Sequence, residues 1–129
     1  MNVTKNIETN SSLTVLIVED EFLIAMDLTM ILEDNGYAVL GPATSVQEAL
    51  NLLEELRPDV ALLDMNLRGE LVFPVAKRLR QMDIPFVVAS AYTSMDFEGG
   101  EVVASAMNIG KPISESHLLE ALRCAIIRI

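Results

Sequence analysis

The chain has 129 residues, a length at which a single compact domain is the usual outcome. Hydrophobic residues make up 51% of it, which supplies enough apolar material for a folded core. An excess of acidic over basic residues gives a formal net charge of −10, and that charge repels nucleic-acid phosphates and anionic lipid headgroups. We therefore expect neither nucleic acid nor a membrane as a partner.

The one cysteine, Cys124, excludes an internal disulfide and a cysteine-rich metal site, and it favours a reducing, cytoplasmic location. No apolar run approaches the 18 or so residues of a membrane span. The first residues, MNVTKNIETNSS, lack the apolar stretch and cleavage site of a secretory signal. We interpret residues 1–12 as a flexible tail and residues 13–129 as one domain, with no output domain after it.

From Leu13 onward, apolar runs rich in β-forming residues alternate with amphipathic stretches, which predicts a parallel sheet covered by helices on both faces. The methionines at helical positions, such as Met26 and Met30, are interpreted as core side chains. In chain order, the predicted elements are a strand at Leu13–Val18, a helix at Glu21–Asn35 ended by Gly36, a strand at Ala38–Leu40, a helix at Val46–Leu56, a strand at Asp59–Leu63, a helix at Pro74–Met82, strands at Ile84–Ala89 and Met107–Ile109, and a helix at Ser114–Ile129.

Two local signals refine the helices. Ser45 and Glu48 form a capping box at the start of the second helix. A further helix over Asp96–Ala104 would complete five strand–helix units. We expect that helix to be short or frayed, because Gly99 and Gly100 each cost about 1 kcal/mol relative to alanine.

Polar side chains follow four of the predicted strands. Because right-handed crossovers bring the carboxyl ends of parallel strands to one edge, these side chains would share one crevice. Glu21 is assigned instead to the first turn of its helix, where negative charge meets the positive end of the helix dipole. The residues are Glu19, Asp20 and Glu21 after the first strand, Asp64 after the third, Ser90 after the fourth and Lys111 after the fifth.

The chemistry of this set favours Mg²⁺ and a phosphoryl group. Carboxylates this close repel one another, by about 1 kcal/mol per pair in water and about 4 kcal/mol at an effective dielectric constant of 20. Mg²⁺ offsets that repulsion, because it takes oxygen ligands from one or two carboxylates and leaves a position for a phosphoryl oxygen. A carboxylate beside the ion is a competent nucleophile, and a lysine and a hydroxyl suit phosphoryl oxygens.

Four short motifs stand at these strand ends in a characteristic order. They are Val18-Glu19-Asp20-Glu21, Leu62-Leu63-Asp64-Met65-Asn66-Leu67-Arg68-Gly69-Glu70, Ala89-Ser90-Ala91 and Gly110-Lys111-Pro112. With them, the chain from Leu13 to Ile129 resembles the response-regulator receiver domains of two-component signalling. The resemblance implies an α/β, flavodoxin-like (βα)5 fold, a doubly wound parallel sheet of strand order 2-1-3-4-5. In that order the first and third strands are neighbours, so Glu19 and Asp20 would lie beside Asp64.

The resemblance also implies a phosphoacceptor and a metal site. Asp64 would accept a phosphoryl group from a sensor histidine kinase, with the HWE type as a candidate, or from a phosphotransfer protein. Mg²⁺ would be the cofactor. Asp64 and Asp20 would bind it directly, Glu19 through water, and Asn66 through its backbone carbonyl.

The remaining site residues are implied in the same way. Ser90 and Lys111 would hold the phosphoryl oxygens, and Ala91 would keep the entrance open. Many receivers place an aromatic switch residue three positions before the lysine, and this chain has Asn108 there. Tyr92, two residues after Ser90, is a candidate for the switch or for gating access.

One string is similar to a stand-alone subgroup of alphaproteobacterial receivers whose signature is Pro-Phe-x-Phe-Ala-Thr-Gly-Tyr. Gly41-Pro42-Ala43 fits that subgroup as well, whereas Ser90 and Ala91 replace its usual threonine and glycine. The string is Pro85-Phe86-Val87-Val88-Ala89-Ser90-Ala91-Tyr92.

We interpret the chain as a single-domain response regulator in which phosphorylation of Asp64 switches protein contacts or drains phosphate from the kinase. It would catalyse its own phosphorylation and dephosphorylation, and it would turn over no small substrate. A small Mg²⁺-dependent aspartyl-phosphate phosphohydrolase is one alternative, although Asn66 stands where such enzymes carry a second aspartate. A receiver-like module that binds partners without phosphorylation is another. A flavin or nucleotide binder is disfavoured, because the acidic loop after the first strand repels a cofactor phosphate.

Overall fold

The computed structural model describes residues 12–89, 107–110 and 113–127, with Met107 described by its backbone alone. Residues 1–11 of the proposed tail, the Asp96–Ala104 helix and four of the predicted site residues lie outside these ranges. The described elements, in chain order, are β1 (Thr14–Val18), α1 (Phe22–Asp34), β2 (Ala38–Ala43), α2 (Val46–Glu55), β3 (Val60–Asp64), β4 (Asn66–Leu67), β5 (Glu70–Leu71), α3 (Phe73–Gln81), β6 (Phe86–Ala89), β7 (Met107–Asn108) and α4 (Glu115–Ile127).

Five parallel strands form the main sheet in the order β2-β1-β3-β6-β7. This order confirms the expected 2-1-3-4-5 arrangement, since β4 and β5 form a separate small hairpin. The order reverses between β1 and β3, which is where open sheets of this kind bind their ligands. All five strands end at the edge that carries the predicted site.

Each face of the sheet has its own apolar core. One core joins alternate residues of β1 and β3, such as Leu16 and Leu63, to α2 and α3. The other joins the intervening residues, such as Ile17 and Leu62, to α1 and α4. Strands buried on both faces explain why the sequence of β1 and β3 is almost wholly apolar. Within the described ranges, every helix is too short or too polar to cross a bilayer.

The exposed face of α1 contradicts the interpretation of its methionines as core. Met26 and Met30 are 45% and 59% exposed, and Phe22 and Leu23 are 71% and 78% exposed. The helix packs on the sheet through the opposite face, formed by Ala25, Leu28 and Leu32. Because α1 is apolar on nearly every side, sequence periodicity could not tell its buried face from its exposed one.

The predicted capping box at α2 is present in a modified form. The Ser45 side chain accepts a hydrogen bond from the Glu48 backbone N–H, as predicted. The Glu48 carboxylate reaches one residue further back than the motif requires, and it accepts bonds from the backbone N–H and the hydroxyl of Thr44. The start of α2 is therefore fixed on both sides of its N-cap.

The hairpin formed by β4 and β5 was not predicted from the sequence. Its strands have two residues each, too short for any alternating pattern to show. Its turn consists of Arg68 and Gly69, whose φ angles of 55° and 90° are both positive, as a type I′ turn requires. The Asn66 side-chain oxygen accepts a hydrogen bond of 2.7 Å from the Gly69 N–H and so stabilises the turn.

Strand β2 extends three residues beyond its predicted end, through a bulge at Gly41 and Pro42. Two steps along β1, from Leu16 to Val18, match three along β2, from Leu40 to Ala43. Gly41 has φ +89°, and a Cβ there would lie 2.7 Å from the Ala43 nitrogen and 3.0 Å from the Ile17 oxygen. Only glycine fits this position, and the bulge brings the Ala43 carbonyl within 2.9 Å of the Glu19 N–H.

We expect Gly41→Ala to lower the free energy of unfolding by about 2 to 5 kcal/mol, the sum of left-handed backbone strain and overlap with fixed backbone atoms. Gly36→Ala is the matched control, because Gly36 has φ +90° with nothing within 4 Å of its Cβ position. It should cost only the backbone strain, about 1 to 2 kcal/mol. Urea unfolding of both variants measures the difference, and equal losses would show that the bulge tolerates a side chain.

Candidate metal and phosphoacceptor site

Three carboxylates meet at the carboxyl edge of the sheet. Val18 of β1 pairs with Leu63 of β3, so the next residues, Glu19 and Asp64, emerge from neighbouring strands at the same level. Asp20 follows Glu19 before α1 begins. One carboxylate oxygen from each of Glu19, Asp20 and Asp64 lies within 4.8 Å of the others, a grouping that can hold a metal ion. The structure therefore brings together the three carboxylates that the sequence predicted would be neighbours.

Burial distinguishes these carboxylates from ordinary surface acids. Glu19 is 2% exposed and Asp64 is 8% exposed, and these two are the buried charged residues among those the structure describes. The Asp20 side chain is 10% exposed. Removing carboxylates from water is costly unless charges or hydrogen bonds offset the loss. Such an arrangement is expected where a cation is to be bound rather than where acids only confer solubility.

The backbone holds Glu19 in place from two sides. Its own N–H donates to the Ala43 carbonyl beyond the β2 bulge. Its Oε2 atom accepts a hydrogen bond of 3.1 Å from the Glu21 N–H. Glu21 is the N-cap residue of α1, exposed and without a side-chain capping bond, so its carboxylate stands just before the first turn rather than within it. Its backbone, not its side chain, serves the site.

The donor set fits Mg²⁺. The ion prefers hard oxygen ligands, binds through one or two carboxylates and retains several waters. Glu19, Asp20 and Asp64 offer carboxylate oxygens alone, with no soft sulfur or imidazole ligand in the described cluster. A divalent cation would also offset repulsion that reaches about 4 kcal/mol per pair of charges at an effective dielectric constant of 20.

The β4–β5 hairpin adds a cation beside this cluster. Arg68, at the hairpin turn, places its Nε atom 3.4 Å from Asp20 Oδ2. Its Nη2 atom lies 3.4 Å from the Asp20 backbone oxygen. No role for Arg68 could be predicted from the sequence, because an arginine in a short polar run shows no preference for one carboxylate over another. Asn66, predicted to act through its carbonyl, opens the hairpin two residues after Asp64.

Four predicted site residues, Ser90, Ala91, Tyr92 and Lys111, lie outside the described residues. The structure does describe chain on either side of them. Ala89, the last residue of β6, pairs with Asp64. Near the fifth strand end, the exposed Asn108 side chain accepts a hydrogen bond of 2.9 Å from the Gly110 N–H. Asn108 thus forms a turn where the resemblance implies an aromatic switch.

Comparison with known proteins decides the family. Residues 15–123 match the response regulator receiver domain. The chain belongs to this family. It is 36% identical over 116 residues to the transcriptional regulatory protein PdtaR of Mycobacterium tuberculosis, with 88% of the chain and 57% of PdtaR covered.

Solved structures agree with this assignment. The signal receiver domain of a modulated diguanylate cyclase from Desulfovibrio desulfuricans superposes with a TM-score of 0.80 at 32% identity, covering 91% of the chain and 95% of that domain. The PhyR receiver domain of Erythrobacter litoralis gives a TM-score of 0.80 at 27% identity, covering 92% of each chain. The chain spans about half the length of the curated relatives first matched, at 57% and 47%.

Family membership shows in which kind of protein the acidic cluster occurs. The chain is a receiver domain in two-component signal transduction. Receiver domains bind Mg²⁺ in general, and they interact with histidine kinases or phosphotransfer proteins. Among the residues that the structure describes, Glu19, Asp20 and Asp64 form a cluster that could hold the ion.

We expect millimolar Mg²⁺ to raise the melting temperature of the wild type, because a cation at ten times its Kd adds about 1.4 kcal/mol to stability. Asp20→Asn should lose most of this increase. Asp34→Asn, which removes the same charge from the exposed end of α1, should retain it. Thermal unfolding with Mg²⁺ and with a chelator measures the response. Equal increases in wild type and Asp20→Asn would place the ion elsewhere.

Proposed function

We propose that the chain is a phosphorylation switch in which Asp64 accepts a phosphoryl group in the presence of Mg²⁺. The observation that carries this proposal is the 4.8 Å cluster of Glu19, Asp20 and Asp64 at the carboxyl edge of the sheet. Asp64 ends a central strand whose neighbours lie on both sides. Its carboxylate is therefore held by a rigid element, which favours a fixed position for a nucleophile.

The proposed reaction is a transfer from a phosphohistidine. An Asp64 carboxylate oxygen forms a bond to phosphorus as the phosphorus–nitrogen bond breaks, and the histidine nitrogen keeps the electron pair. Mg²⁺, when bound, neutralises phosphoryl oxygens. Asp20 and Asp64 would bind it directly, Glu19 through water and Asn66 through its backbone carbonyl.

The remaining roles in this proposal come from the family resemblance. Ser90 and Lys111 hold the phosphoryl oxygens, Ala91 keeps the entrance open, and Tyr92 takes part in switching or access. Asn108 supports a role for Tyr92, because its side chain is bonded to Gly110 and offers no aromatic ring for the usual switch. Because the string from Pro85 to Tyr92 resembles the Pro-Phe-x-Phe-Ala-Thr-Gly-Tyr signature, we also propose that the chain belongs to that subgroup.

The donor in this proposal is a sensor histidine kinase, with the HWE type as a candidate, or a phosphotransfer protein in the cytoplasm. The output is a changed protein contact or removal of phosphate from the kinase. Phosphohydrolase activity is disfavoured, since the residue two after Asp64 is Asn66 and its side-chain oxygen already accepts the Gly69 N–H. A general acid at that position must donate a proton, which the amide side chain of Asn66 cannot do as a carboxylic acid would.

Incubation with Mg²⁺ and acetyl phosphate, followed by intact mass measurement, tests the proposal. The wild type should gain about 80 Da, the mass of one phosphoryl group. Asp64→Asn should gain nothing, because an amide cannot form the acyl phosphate, and a chelator should abolish the adduct in the wild type.

Asp34→Asn is the matched control and should be modified like the wild type. An adduct that persists in Asp64→Asn would assign the phosphoacceptor to another residue. Steady turnover of small phosphomonoesters would favour the phosphohydrolase. Partner binding with no adduct would favour the phosphorylation-independent module.

The exposed side of α1 is the surface that we propose for the donor. A donor must bring its phosphohistidine to Asp64, so its docking surface must adjoin the site. Helix α1 begins two residues after Asp20, and Phe22, Leu23, Met26 and Met30 form an exposed apolar strip along it. Apolar side chains clustered this way are typical of protein interaction surfaces.

We expect Leu23→Glu to slow phosphoryl transfer from a histidine kinase that labels the wild type, by about tenfold or more, because a charge is buried on docking. Labelling by acetyl phosphate should not change, since that donor needs no docking surface. Leu56→Glu is the control, because Leu56 is 44% exposed and follows α2 at the opposite edge of the sheet. Unchanged kinase transfer in Leu23→Glu would exclude α1.

A further inference from the structure

Arg68 contacts the most exposed ligand of the acidic cluster. The two contacts of 3.4 Å involve both the carboxylate and the backbone oxygen of Asp20. The Asp20 side chain is 10% exposed, whereas that of Arg68 is 78% exposed. The guanidinium therefore lies on the solvent side of Asp20. Because the Arg68 side chain is mostly exposed, it can move away from Asp20 without disturbing the apolar core.

The backbone under Arg68 is firmly anchored. The hairpin turn is closed by the bond between the Gly69 N–H and the Asn66 side chain. Leu67, beside Arg68, is 3% exposed and belongs to the apolar core. A further bond of 3.0 Å from the Val72 N–H to the Met65 oxygen closes the base of the hairpin. The backbone of Arg68 therefore keeps its position whether or not its side chain contacts Asp20.

We propose that Arg68 is the counter-ion of Asp20 in the metal-free protein and that Mg²⁺ must displace it. This inference rests on the proposed magnesium site. Two cations at bonding distance from one carboxylate repel each other, so Arg68 and the ion compete for Asp20. Arg68 therefore lowers Mg²⁺ affinity, because it competes with the ion for Asp20.

The exposure of Arg68 limits how much its contact with Asp20 can lower Mg²⁺ affinity. Ion pairs with one exposed partner are weak and are screened by salt. We expect removal of Arg68 to tighten Mg²⁺ binding by about two- to fivefold at low ionic strength. The gain should shrink as salt is added, because screening already weakens the competing pair.

Titration calorimetry with MgCl₂ on Arg68→Asn tests the inference, and this substitution is chosen because it should leave the hairpin turn intact. Arg68→Asn removes the charge and creates an Asn-Gly pair, which is the preferred sequence for a type I′ turn. Arg68→Lys retains the charge but loses the two-point guanidinium contact, so its affinity should lie between wild type and Arg68→Asn. Arg78→Gln is the control for net charge, because Arg78 lies exposed in the last turn of α3, towards the opposite edge of the sheet.

A spectroscopic measurement tests displacement directly. The Arg68 Nε–H resonance, assigned by its absence in Arg68→Asn, should shift during the Mg²⁺ titration with the midpoint found by calorimetry. An unchanged resonance, or an affinity gain no larger than that of Arg78→Gln, would refute the inference. Weaker binding in Arg68→Asn would also refute it, since Arg68 would then be preparing Asp20 for the ion.

Failure of the inference is distinguishable from failure of the proposed function. Wild-type protein that takes up no Mg²⁺ would contradict the magnesium site itself. Wild-type binding with an unaltered affinity in Arg68→Asn would contradict only the role of Arg68.

Discussion

Mutual repulsion among three carboxylates is the constraint on which the rest of this molecule depends. Glu19, Asp20 and Asp64 each offer an oxygen within 4.8 Å of the others, and two of them are buried. At an effective dielectric constant of 20, each pair of charges costs about 4 kcal/mol. The fold tolerates this because the carboxylates stand at the ends of central strands that the apolar cores hold in register.

Two irregular pieces of backbone serve this edge of the sheet. The bulge at Gly41 turns the Ala43 carbonyl towards the Glu19 N–H, and the hairpin after Asp64 carries Arg68 to Asp20. Bulges and tight turns are common beside functional sites, where they direct a group that a regular strand could not reach. Here the bulge holds Glu19 through a hydrogen bond, and the hairpin brings the charge of Arg68 to Asp20. Both residues belong to the candidate metal site.

The structure also links the site to a surface. Helix α1 begins where the acidic loop ends, so a protein that reaches Asp64 also meets the exposed strip that begins at Phe22. An exposed strip of large apolar side chains contributes nothing to the core beneath α1, whose buried face is Ala25, Leu28 and Leu32. The candidate metal site and the surface proposed for the phosphoryl donor are therefore adjacent.

The expected clustering of Glu19, Asp20 and Asp64 came from the strand order that the family resemblance implies. The sequence by itself determined the strands of the main sheet and the order of the site motifs, because apolar runs buried on both faces and polar strand ends are local signals. It did not determine the exposed face of α1, where apolar residues such as Met26 surround the helix. Nor did it show the continuation of β2 past Gly41 or the contact of Arg68 with Asp20. A bulge, a two-residue hairpin and a cross-loop ion pair depend on which strands lie side by side, and only tertiary packing decides that.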